Sequence, residues 1–342
     1  MSQIAELLIP WQKKYGRHHL PWQVNDDPYT VWLSEIMLQQ TQVKTVIPYY
    51  RRFIKRFPDI NSLAQAPIDE VLACWSGLGY YARARHLHQT ACKIMQNHQG
   101  VFPQLREEIQ QLPGIGRSTA AAIAVFAYGK REAILDGNVK RVFTRYFGIE
   151  RYPGEPDTLK RLWNLAEKSL PGNGAPGRIK AYTQALMDLG SAVCVRRKPF
   201  CSRCPLQKSC AAFNENRIAL IPAPSPKKQL PVKETVFMIY RGNRQLLLEK
   251  RPDKGIWGGL WCFPENRLED KSAFRVNKAR PVELPRLLHV FTHFKLSITP
   301  FLLDVDRTET MPDSIIWAQP DVALELAIPA PVKKLIKRHF LF

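Results

Sequence analysis

The stretch LPGIGRSTAAAIA, residues 112–124, decides the fold prediction for this chain. Its turn, Pro113-Gly114-Ile115-Gly116, has glycines where a tight turn needs a positive φ or a close backbone approach. REEIQQ before the turn predicts a short helix, and Arg117 begins a second helix whose alanines allow close packing. Backbone N–H groups at the start of that helix form an anion site. The stretch predicts a helix-hairpin-helix element that binds DNA phosphates without reading bases; an ordinary helical hairpin is the alternative.

The second motif is ILDGNVKRVFTRYF, residues 134–147. Asp136 precedes a predicted helix and is therefore a candidate N-cap. The helix dipole and the capping N–H groups favour the ionised form of such a carboxylate. We expect Asp136 to stay charged without needing burial, as a developing sugar cation requires. The apolar face of this helix comprises Val139, Val142, Phe143 and Tyr146.

Another carboxylate lies in a segment that begins at Asp27-Pro28, where a helix is predicted over roughly 29–47. On that helix Glu35, Gln39 and Gln42 share a face, which fits either a polar pocket for a base or a solvated surface. An acid acting beside an ionised Asp136 must hold a proton near neutral pH, which requires a desolvated pocket. Such a pair suits the oxocarbenium-like transition state of N-glycosidic cleavage. The apolar face comprises Trp32, Leu33, Ile36, Met37, Val43 and Ile47.

Four of the seven cysteines are clustered, with six, two and five residues between successive members. Disulfides are rare inside the cell, so the cluster predicts a metal site. Four-cysteine zinc sites usually show two close pairs, whereas this spacing favours wrapping one [4Fe-4S] cluster; zinc remains the alternative. Arg196, Arg197 and Lys198 on the same loop could reach phosphates. The predicted ligands are Cys194, Cys201, Cys204 and Cys210.

The 342-residue chain is strongly basic, with 50 Lys and Arg against 30 Asp and Glu and a formal net charge of +20. A surface of this sign attracts a polyanion, and nucleic acid is favoured over a membrane. No stretch reaches the roughly 18 apolar residues of a spanning helix, and MSQIAELLIPWQKK lacks the layout of a secretory signal. We expect a soluble, intracellular protein without a membrane partner.

Two domains are expected. Residues 1–213 show repeated helical segments, and residues 214–232, with four prolines, form a predicted linker. Residues 233–342 predict a small α+β domain. Its predicted elements are a hairpin of VFMIY (236–240) and QLLLEK (245–250), strands at 287–291 and 294–303, and a helix at 330–342.

LPGIG, the aspartate of LDGNV and the cysteine spacing together resemble the helix-hairpin-helix DNA glycosylase superfamily with an iron–sulfur loop, which includes endonuclease III. LPWQ (20–23), WLSEIMLQQTQV (32–43) and GLGYYARARHL (77–87) resemble the MutY-type adenine DNA glycosylases. GIWGGLWCFPE (255–265) and HVFTHFKLSI (289–298) resemble the Nudix-like domain of that family. The resemblance covers essentially the whole chain. It implies a mainly α-helical glycosylase domain with a [4Fe-4S] loop over 194–210, followed by a C-terminal α+β Nudix-like domain.

The resemblance also implies roles for individual residues. Glu35 would protonate the adenine leaving group, Asp136 would stabilise or capture the sugar cation, and Asn138 would help hold the site. Tyr80 is similar to a residue that wedges into the DNA stack, although core packing is an alternative for it and for Leu38. Residues that would contact DNA through the inserted segment, the hairpin or the 8-oxoguanine-recognition loop are Leu38, Gln39, Gln40, Gly114, Gly116, Arg117, Ser118, Phe291, Thr292 and His293.

The implied activity is removal of adenine opposite 8-oxoguanine or guanine in double-stranded DNA, by a monomer in a bacterial-type cytoplasm. Bifunctional relatives have a lysine where Ser118 stands, and a hydroxyl cannot form an imine, so we expect a monofunctional enzyme that leaves an abasic site. No Nudix box, G-x5-E followed by R-E-x2-E-E, follows Glu265, so no hydrolase activity is expected and a merely stabilising domain is the alternative. Two other classes stay open: a bifunctional enzyme for oxidised pyrimidines, and a non-catalytic DNA-binding or redox-sensing iron–sulfur protein.

Overall fold

The computed structural model describes residues 3–172, 177–226, 229–265, 274–276, 280–308 and 312–341. Contacts divide the chain into two compact units, Met1–Ala64 with Gln89–Lys227 and Gln65–His88 with Lys228–Phe342. The sequence-based boundary differs from this division, because it assigned all of residues 1–213 to one domain. Gln65–His88 instead group with the C-terminal residues through contacts between residues far apart in sequence. These include Asp69 Oδ2 to Lys250 Nζ at 2.6 Å, Tyr81 Oη to the Ile328 carbonyl at 2.9 Å, and Arg85 Nη1 to the Gly258 carbonyl at 2.7 Å.

The first unit is helical, and one cluster of its core takes side chains from five of its helices, with Leu8, Phe143 and Leu186 among the buried ones. Its helices are α1 (Gln3–Tyr15), α2 (Pro28–Leu38), α3 (Val43–Arg56), α4 (Ile60–Gln65), α7 (Arg106–Gln110), α8 (Arg117–Tyr128), α9 (Gly137–Tyr146), α10 (Pro156–Lys168), α11 (Arg178–Asp188) and α12 (Ala211–Asn214), with a π-helix at Leu189–Val193. Helix α5 (Ile68–Trp75) belongs to the second unit, and α6 (Ala82–His98) crosses the division.

The single helix predicted over roughly 29–47 is wrong. Helix α2 ends at Leu38 and α3 begins at Val43, because Gln40 adopts a left-handed φ of 56° that an α-helix cannot contain. Glu35, Gln39 and Gln42 therefore do not share one helix face. The short helix before the glycine turn and the helices after Arg117 and Asp136 are confirmed as α7, α8 and α9.

The second unit contains a mixed sheet together with helices, which confirms the predicted α+β class. Strand order is β3-β2-β1-β7-β4, with β5 and β6 also pairing with β7 and β8 pairing with β2. The central pair β1 and β7 is parallel, from Val232 opposite Lys295 to Arg241 opposite Asp304. The strands are β1 (Val232–Gly242), β2 (Gln245–Lys250), β3 (Trp261–Cys262), β4 (Phe274–Val276), β5 (Val282–Glu283), β6 (Leu287–Val290), β7 (Lys295–Arg307) and β8 (Ile315–Ala318).

Alternating residues of β1 and β2 bury both faces of the sheet. Phe237, Ile239 and Leu248 pack with the apolar side of α14 (Ala330–His339), whereas Met238 and Leu247 belong to a separate cluster on the other face. The remaining helix is α13 (Pro320–Glu325). The predicted hairpin, the two further strands and the C-terminal helix are confirmed.

Two expectations from the sequence concern absences: that of a Nudix box and that of a membrane-spanning helix. Most residues in which a Nudix box would follow Glu265 lie outside the described residues, so that expectation stays untested. Within the described ranges, no helix has both the length and the apolar character needed to cross a membrane.

Candidate active site

Helix α2 carries Glu35 into the wall of a cavity of about 310 Å³ in the first unit. Asp27 caps the helix by accepting a hydrogen bond from the Thr30 N–H at 2.9 Å, and Pro28 occupies the first turn, where no N–H is needed. Buried Trp32, Leu33, Ile36 and Met37 fix the helix against the core. Glu35 is thereby left half-buried and facing the cavity.

Burial raises the pKa of the Glu35 carboxyl to about 8, and the nearby charge of Asp136 raises it further in the same direction. The carboxyl borders a cavity, yet enough protein surrounds it to remove most of the solvation that an ionised form would need. Glu35 therefore holds its proton at neutral pH, as the sequence-based hypothesis requires of an acid.

Asp136 is the N-cap of α9, as predicted. Its carboxylate accepts hydrogen bonds from the Val139 N–H at 2.7 Å and the Asn138 side-chain amide at 3.5 Å. Asp136 is half-buried, which the sequence did not indicate: burial raises its pKa, and the capping bonds and the Arg141 charge oppose this shift without outweighing it. These opposing contacts still favour the Asp136 anion, whereas both influences on Glu35 favour its neutral form.

Arg141 connects this site to the cysteine loop. Its Nη2 donates to the Asn138 side-chain oxygen at 2.9 Å and to the Gly190 carbonyl at 2.6 Å, and its Nε donates to the Cys194 carbonyl at 2.8 Å. Asn138 is therefore held between Arg141 and Asp136, which supports the positioning role that the resemblance implied for it.

Gly190 lies in the π-helix after α11, close against Asn138. A Cβ at this glycine would be 2.6 Å from the Cβ of Asn138 and 3.2 Å from its backbone. Such a contact is far below ordinary packing distance, so only glycine fits here without moving Asn138. π-helical segments occur frequently at functional sites.

Three polar residues of this region escaped the sequence-based prediction. The buried Asp188 carboxylate accepts from the Arg17 backbone N–H at 2.9 Å, from Arg17 Nε at 2.6 Å and from Gln184 Nε2 at 2.9 Å. Arg17 and Gln184 line the cavity that Glu35 faces. The only local signal is that Gln184 and Asp188 are four residues apart on α11, a spacing that many surface pairs share.

The helix-hairpin-helix element has its glycines at an exposed turn. Gly114 has a φ of 74°, and a Cβ at Gly116 would meet nothing within 4 Å. Ser118 faces the site: its hydroxyl accepts a hydrogen bond from the Leu135 N–H at 2.9 Å, next to Asp136. The Arg117 guanidinium lies 3.8 Å from the Trp163 ring centre and pairs with Glu167, so a phosphate would have to compete for it.

The residues expected beside the extruded base lie at the break between α2 and α3. Leu38 lines the cavity, and the Gln39 amide donates to Thr119 Oγ1 at 3.4 Å, which connects the break to the helix-hairpin-helix element. Gln40 is exposed in its left-handed conformation. Leu38 is thus placed at the cavity rather than in the core.

The four predicted ligand cysteines line one small, mainly apolar cavity. Burial, together with the other three cysteines, raises the pKa of the Cys204 thiol to about 12. Among the residues that the structure describes, no three His, Cys, Asp or Glu side chains stand close enough to hold a single metal ion.

Comparisons of this chain with known proteins identify its family. Residues 33–168 match the HhH-GPD superfamily of base excision DNA repair proteins, and residues 235–338 match the NUDIX domain. The chain is 38% identical to the adenine DNA glycosylase of Buchnera aphidicola subsp. Acyrthosiphon pisum (strain APS), over 97% of this chain and 96% of that protein. The chain belongs to the adenine DNA glycosylase family. It is therefore an enzyme of base excision repair, a DNA N-glycosylase.

A more distant member of the family and two solved structures are also similar to this chain. The adenine DNA glycosylase of Mus musculus is 32% identical, covering 97% of this chain and 77% of that protein. A thermostable thymine-DNA glycosylase superposes with a TM-score of 0.56 at 30% identity, over 62% of this chain and 95% of that one. An endonuclease III–DNA complex, at 21% identity and a TM-score of 0.52, shares the fold over 63% of this chain and 96% of that one.

The remaining expected DNA contacts of this adenine DNA glycosylase family member lie in the second unit. Tyr80 is 51% exposed, which excludes the core-packing alternative for it. Thr292 and His293 are exposed at the turn between β6 and β7, which the Phe291 N–H closes by donating to the Phe294 carbonyl at 2.9 Å. Phe291 itself is half-buried and stacks on Phe294, with ring centres 4.5 Å apart.

Proposed function

We propose that this protein hydrolyses the N-glycosidic bond of adenine opposite 8-oxoguanine or guanine in double-stranded DNA, leaving an abasic site. The observation that carries the proposal is the Glu35 carboxyl, protonated at neutral pH in the wall of a cavity of about 310 Å³. A cavity of this volume suits a small organic group such as an extruded base.

The two carboxyls have separate tasks. The Glu35 proton passes to a ring nitrogen of adenine, and the electron pair of the N-glycosidic bond then leaves with the neutral base. The Asp136 carboxylate stabilises the positive charge that develops on the sugar, with Asn138 and Arg141 holding its position. Water adds to the sugar carbon, and its proton returns to the Glu35 carboxylate.

The polar cavity wall supports adenine as the base. A carboxylate only accepts hydrogen bonds, so the Gln184 amide nitrogen faces Asp188 and its oxygen is the group left to accept from a ligand. Adenine carries an amine that can donate to such an oxygen, whereas guanine presents a carbonyl at the same ring position. A hydrogen bond of this kind would favour adenine over a 6-oxopurine.

Recognition of the opposite base belongs to the second unit in this proposal. The resemblance assigns 8-oxoguanine contacts to Phe291, Thr292 and His293, and the exposed turn makes the last two accessible. Phosphate contacts from the hairpin turn and the net charge of +20 supply sequence-independent affinity that salt weakens. We expect the protein to act as a monomer in the cytoplasm of a bacterial-type cell.

Cys194, Cys201, Cys204 and Cys210 would hold a [4Fe-4S] cluster. The shared cavity supports this donor set, and the buried Arg145 beside it donates to Cys194 Sγ at 3.4 Å, which compensates negative charge there. When bound, the cluster would fix the loop as a structural clamp, and base removal needs no step through it. Iron and sulfide analysis of purified protein should give about four of each per chain, whereas one zinc would contradict the assignment.

The deciding experiment is incubation of purified protein with a duplex containing adenine opposite 8-oxoguanine, followed by measurement of free adenine. Release should occur from this duplex and not from an adenine–thymine control. Glu35→Gln and Asp136→Asn should lose release while retaining duplex binding. If fully metallated protein releases no adenine, the proposal fails and a non-catalytic DNA-binding role takes its place.

The monofunctional assignment has a separate test. Ser118 stands where bifunctional relatives have lysine, and its hydroxyl cannot form an imine with the sugar. Borohydride added during turnover should therefore trap little protein on DNA. Efficient trapping would identify an amine nucleophile elsewhere in the chain and overturn the assignment.

A further inference from the structure

The loop before α6 holds Tyr80 in an unusual conformation. Gly77, Gly79 and Tyr80 all have positive φ angles, of 98°, 78° and 51°. Positive φ is uncommon for an aromatic residue and persists only where surrounding contacts impose it. In Tyr80 this conformation accompanies a side chain that is 51% exposed.

Arg83 supplies several of those contacts from inside the unit. Its buried guanidinium lies over the Trp75 ring at 5.3 Å and over the Tyr80 ring at 5.4 Å. Arg83 Nη2 donates to the Gly79 carbonyl at 3.1 Å, and Trp75 Nε1 donates to the same carbonyl at 3.0 Å. The Arg83 N–H also donates to the Tyr80 carbonyl at 2.8 Å.

This arrangement uses a buried cation to hold one exposed ring. Burial lowers the pKa of Arg83 only to about 10, so the guanidinium stays charged at neutral pH. A buried charge is costly unless its environment compensates it, and here the compensation includes the loop carbonyl and two aromatic faces. A ring held in position before binding loses less conformational freedom when it stacks on a base.

We infer that Arg83 is a positioning residue that holds Tyr80 ready to stack within the opened DNA duplex. The inference rests on the proposed function, because it takes the proposed DNA substrate from there and the DNA-stacking role of Tyr80 from the family resemblance. Arg83 acts through Tyr80 and does not itself touch DNA. Its effect must therefore disappear when the Tyr80 ring is absent.

A double-mutant cycle tests this dependence. Binding to a duplex with adenine opposite 8-oxoguanine is measured in a Glu35→Gln background, which prevents turnover. Tyr80→Ala should weaken binding about 5- to 100-fold through lost stacking, and Arg83→Met about 3- to 30-fold. The double variant should bind within about twofold of Tyr80→Ala alone. If the double variant instead loses affinity by the product of the two single losses, the inference is wrong.

A second readout separates positioning from general stability. A 2-aminopurine beside the 8-oxoguanine should brighten when wild-type protein unstacks the duplex, and Arg83→Met should reduce that signal. With Glu35 restored, the saturating single-turnover rate of adenine release should change less than binding does. An unchanged 2-aminopurine signal in Arg83→Met would contradict the inference.

Matched variants complete the design. Arg85→Met removes an arginine two positions along the same helix that donates to Gly258, and its effect should multiply with that of Tyr80→Ala. Arg83→Lys keeps the charge but loses the planar fork, so it should give an intermediate loss and serves if Arg83→Met does not fold. If the wild type binds this duplex but releases no adenine, the proposed function fails, whereas the cycle still decides the inference.

Discussion

At the residue scale, Glu35 and Asp136 both have raised pKa values, but the groups that surround the two carboxyls differ. Asp136 accepts hydrogen bonds from a backbone N–H and from Asn138 and is close to the Arg141 charge. Glu35 is affected by burial and by a negative neighbour, which both favour its protonated form. Only Asp136 thus has contacts that favour its ionised form, and the pair can act as acid and counter-charge.

Adenine release should follow a bell-shaped pH profile. The Glu35 pKa of about 8 means that the acid is present below this pH, so the single-turnover rate should fall about tenfold per pH unit above it. On the acidic side, the rate should fall as Asp136 is protonated, at a pH above the ordinary 3.8 because burial raises the pKa of Asp136. A rate that stays constant up to pH 10 would contradict the role of Glu35.

Glu35→Gln should stabilise the protein while stopping base release. Between its ordinary pKa of 4.5 and about 8, Glu35 binds more protons in the folded than in the unfolded state, so the free energy of unfolding falls as pH rises. The amide of the variant does not titrate and therefore avoids this loss. Denaturant unfolding should show the variant more stable than wild type above pH 8, with the difference vanishing below pH 4.5.

Ser118 has a structural role in addition to lacking the amine that imine formation needs. Because its hydroxyl accepts from the Leu135 N–H beside Asp136, Ser118→Ala should leave that buried donor weakly satisfied. We expect adenine release to slow about 5- to 10-fold with duplex binding little changed. Ser118→Thr keeps the hydroxyl and is the control; an equal loss in both variants would implicate packing.

At the element scale, the π-helix and the helix-hairpin-helix turn place glycines for different reasons. Gly190 is closely packed against Asn138, whereas Gly116 faces open space. Protein packing requires the first glycine, while the absence of protein contact at the second is consistent with a close approach by DNA.

Alanine at these glycines should therefore separate stability from binding. Gly190→Ala should lower the free energy of unfolding by about 1–3 kcal/mol and slow adenine release, because Asn138 must move away from Asp136. Gly116→Ala should leave stability nearly unchanged but weaken duplex binding. Thermal unfolding and duplex titration of both variants check this, and normal binding by Gly116→Ala would argue against a phosphate contact at the turn.

At the scale of the whole molecule, the domain boundary in sequence does not coincide with the boundary in space. Residues 65–88, which include the Tyr80 loop, group with the C-terminal sheet through Lys250, Gly258 and Ile328. A chain cut after residue 227 would keep the segment but lose these partners.

Such a truncation should have two effects. The shortened protein should unfold at a lower temperature, by several degrees, because residues 65–88 lose long-range contacts. It should also lose preference for 8-oxoguanine over guanine opposite adenine, because Phe291, Thr292 and His293 are removed. Scanning calorimetry and paired single-turnover assays measure these effects, and an unchanged preference would exclude the C-terminal domain from recognition.

The sequence by itself determined the features that depend on near neighbours. The Asp136 cap, the glycine turn and the β-hairpin were predicted correctly, because caps, turns and alternation are set within a few residues. The helix predicted across 29–47 failed at Gln40, whose left-handed φ no apolar pattern reveals.

Only the tertiary structure decided how the site is charged and shaped. Arg17 and Asp188 are 171 residues apart yet share a hydrogen bond near the cavity, and no periodic pattern spans that separation. Desolvation depends on all the atoms around a group, so the proton on Glu35 and the raised pKa of Asp136 emerged only after folding. The same reason explains Gly190 and Arg83: their importance lies in what packs against them.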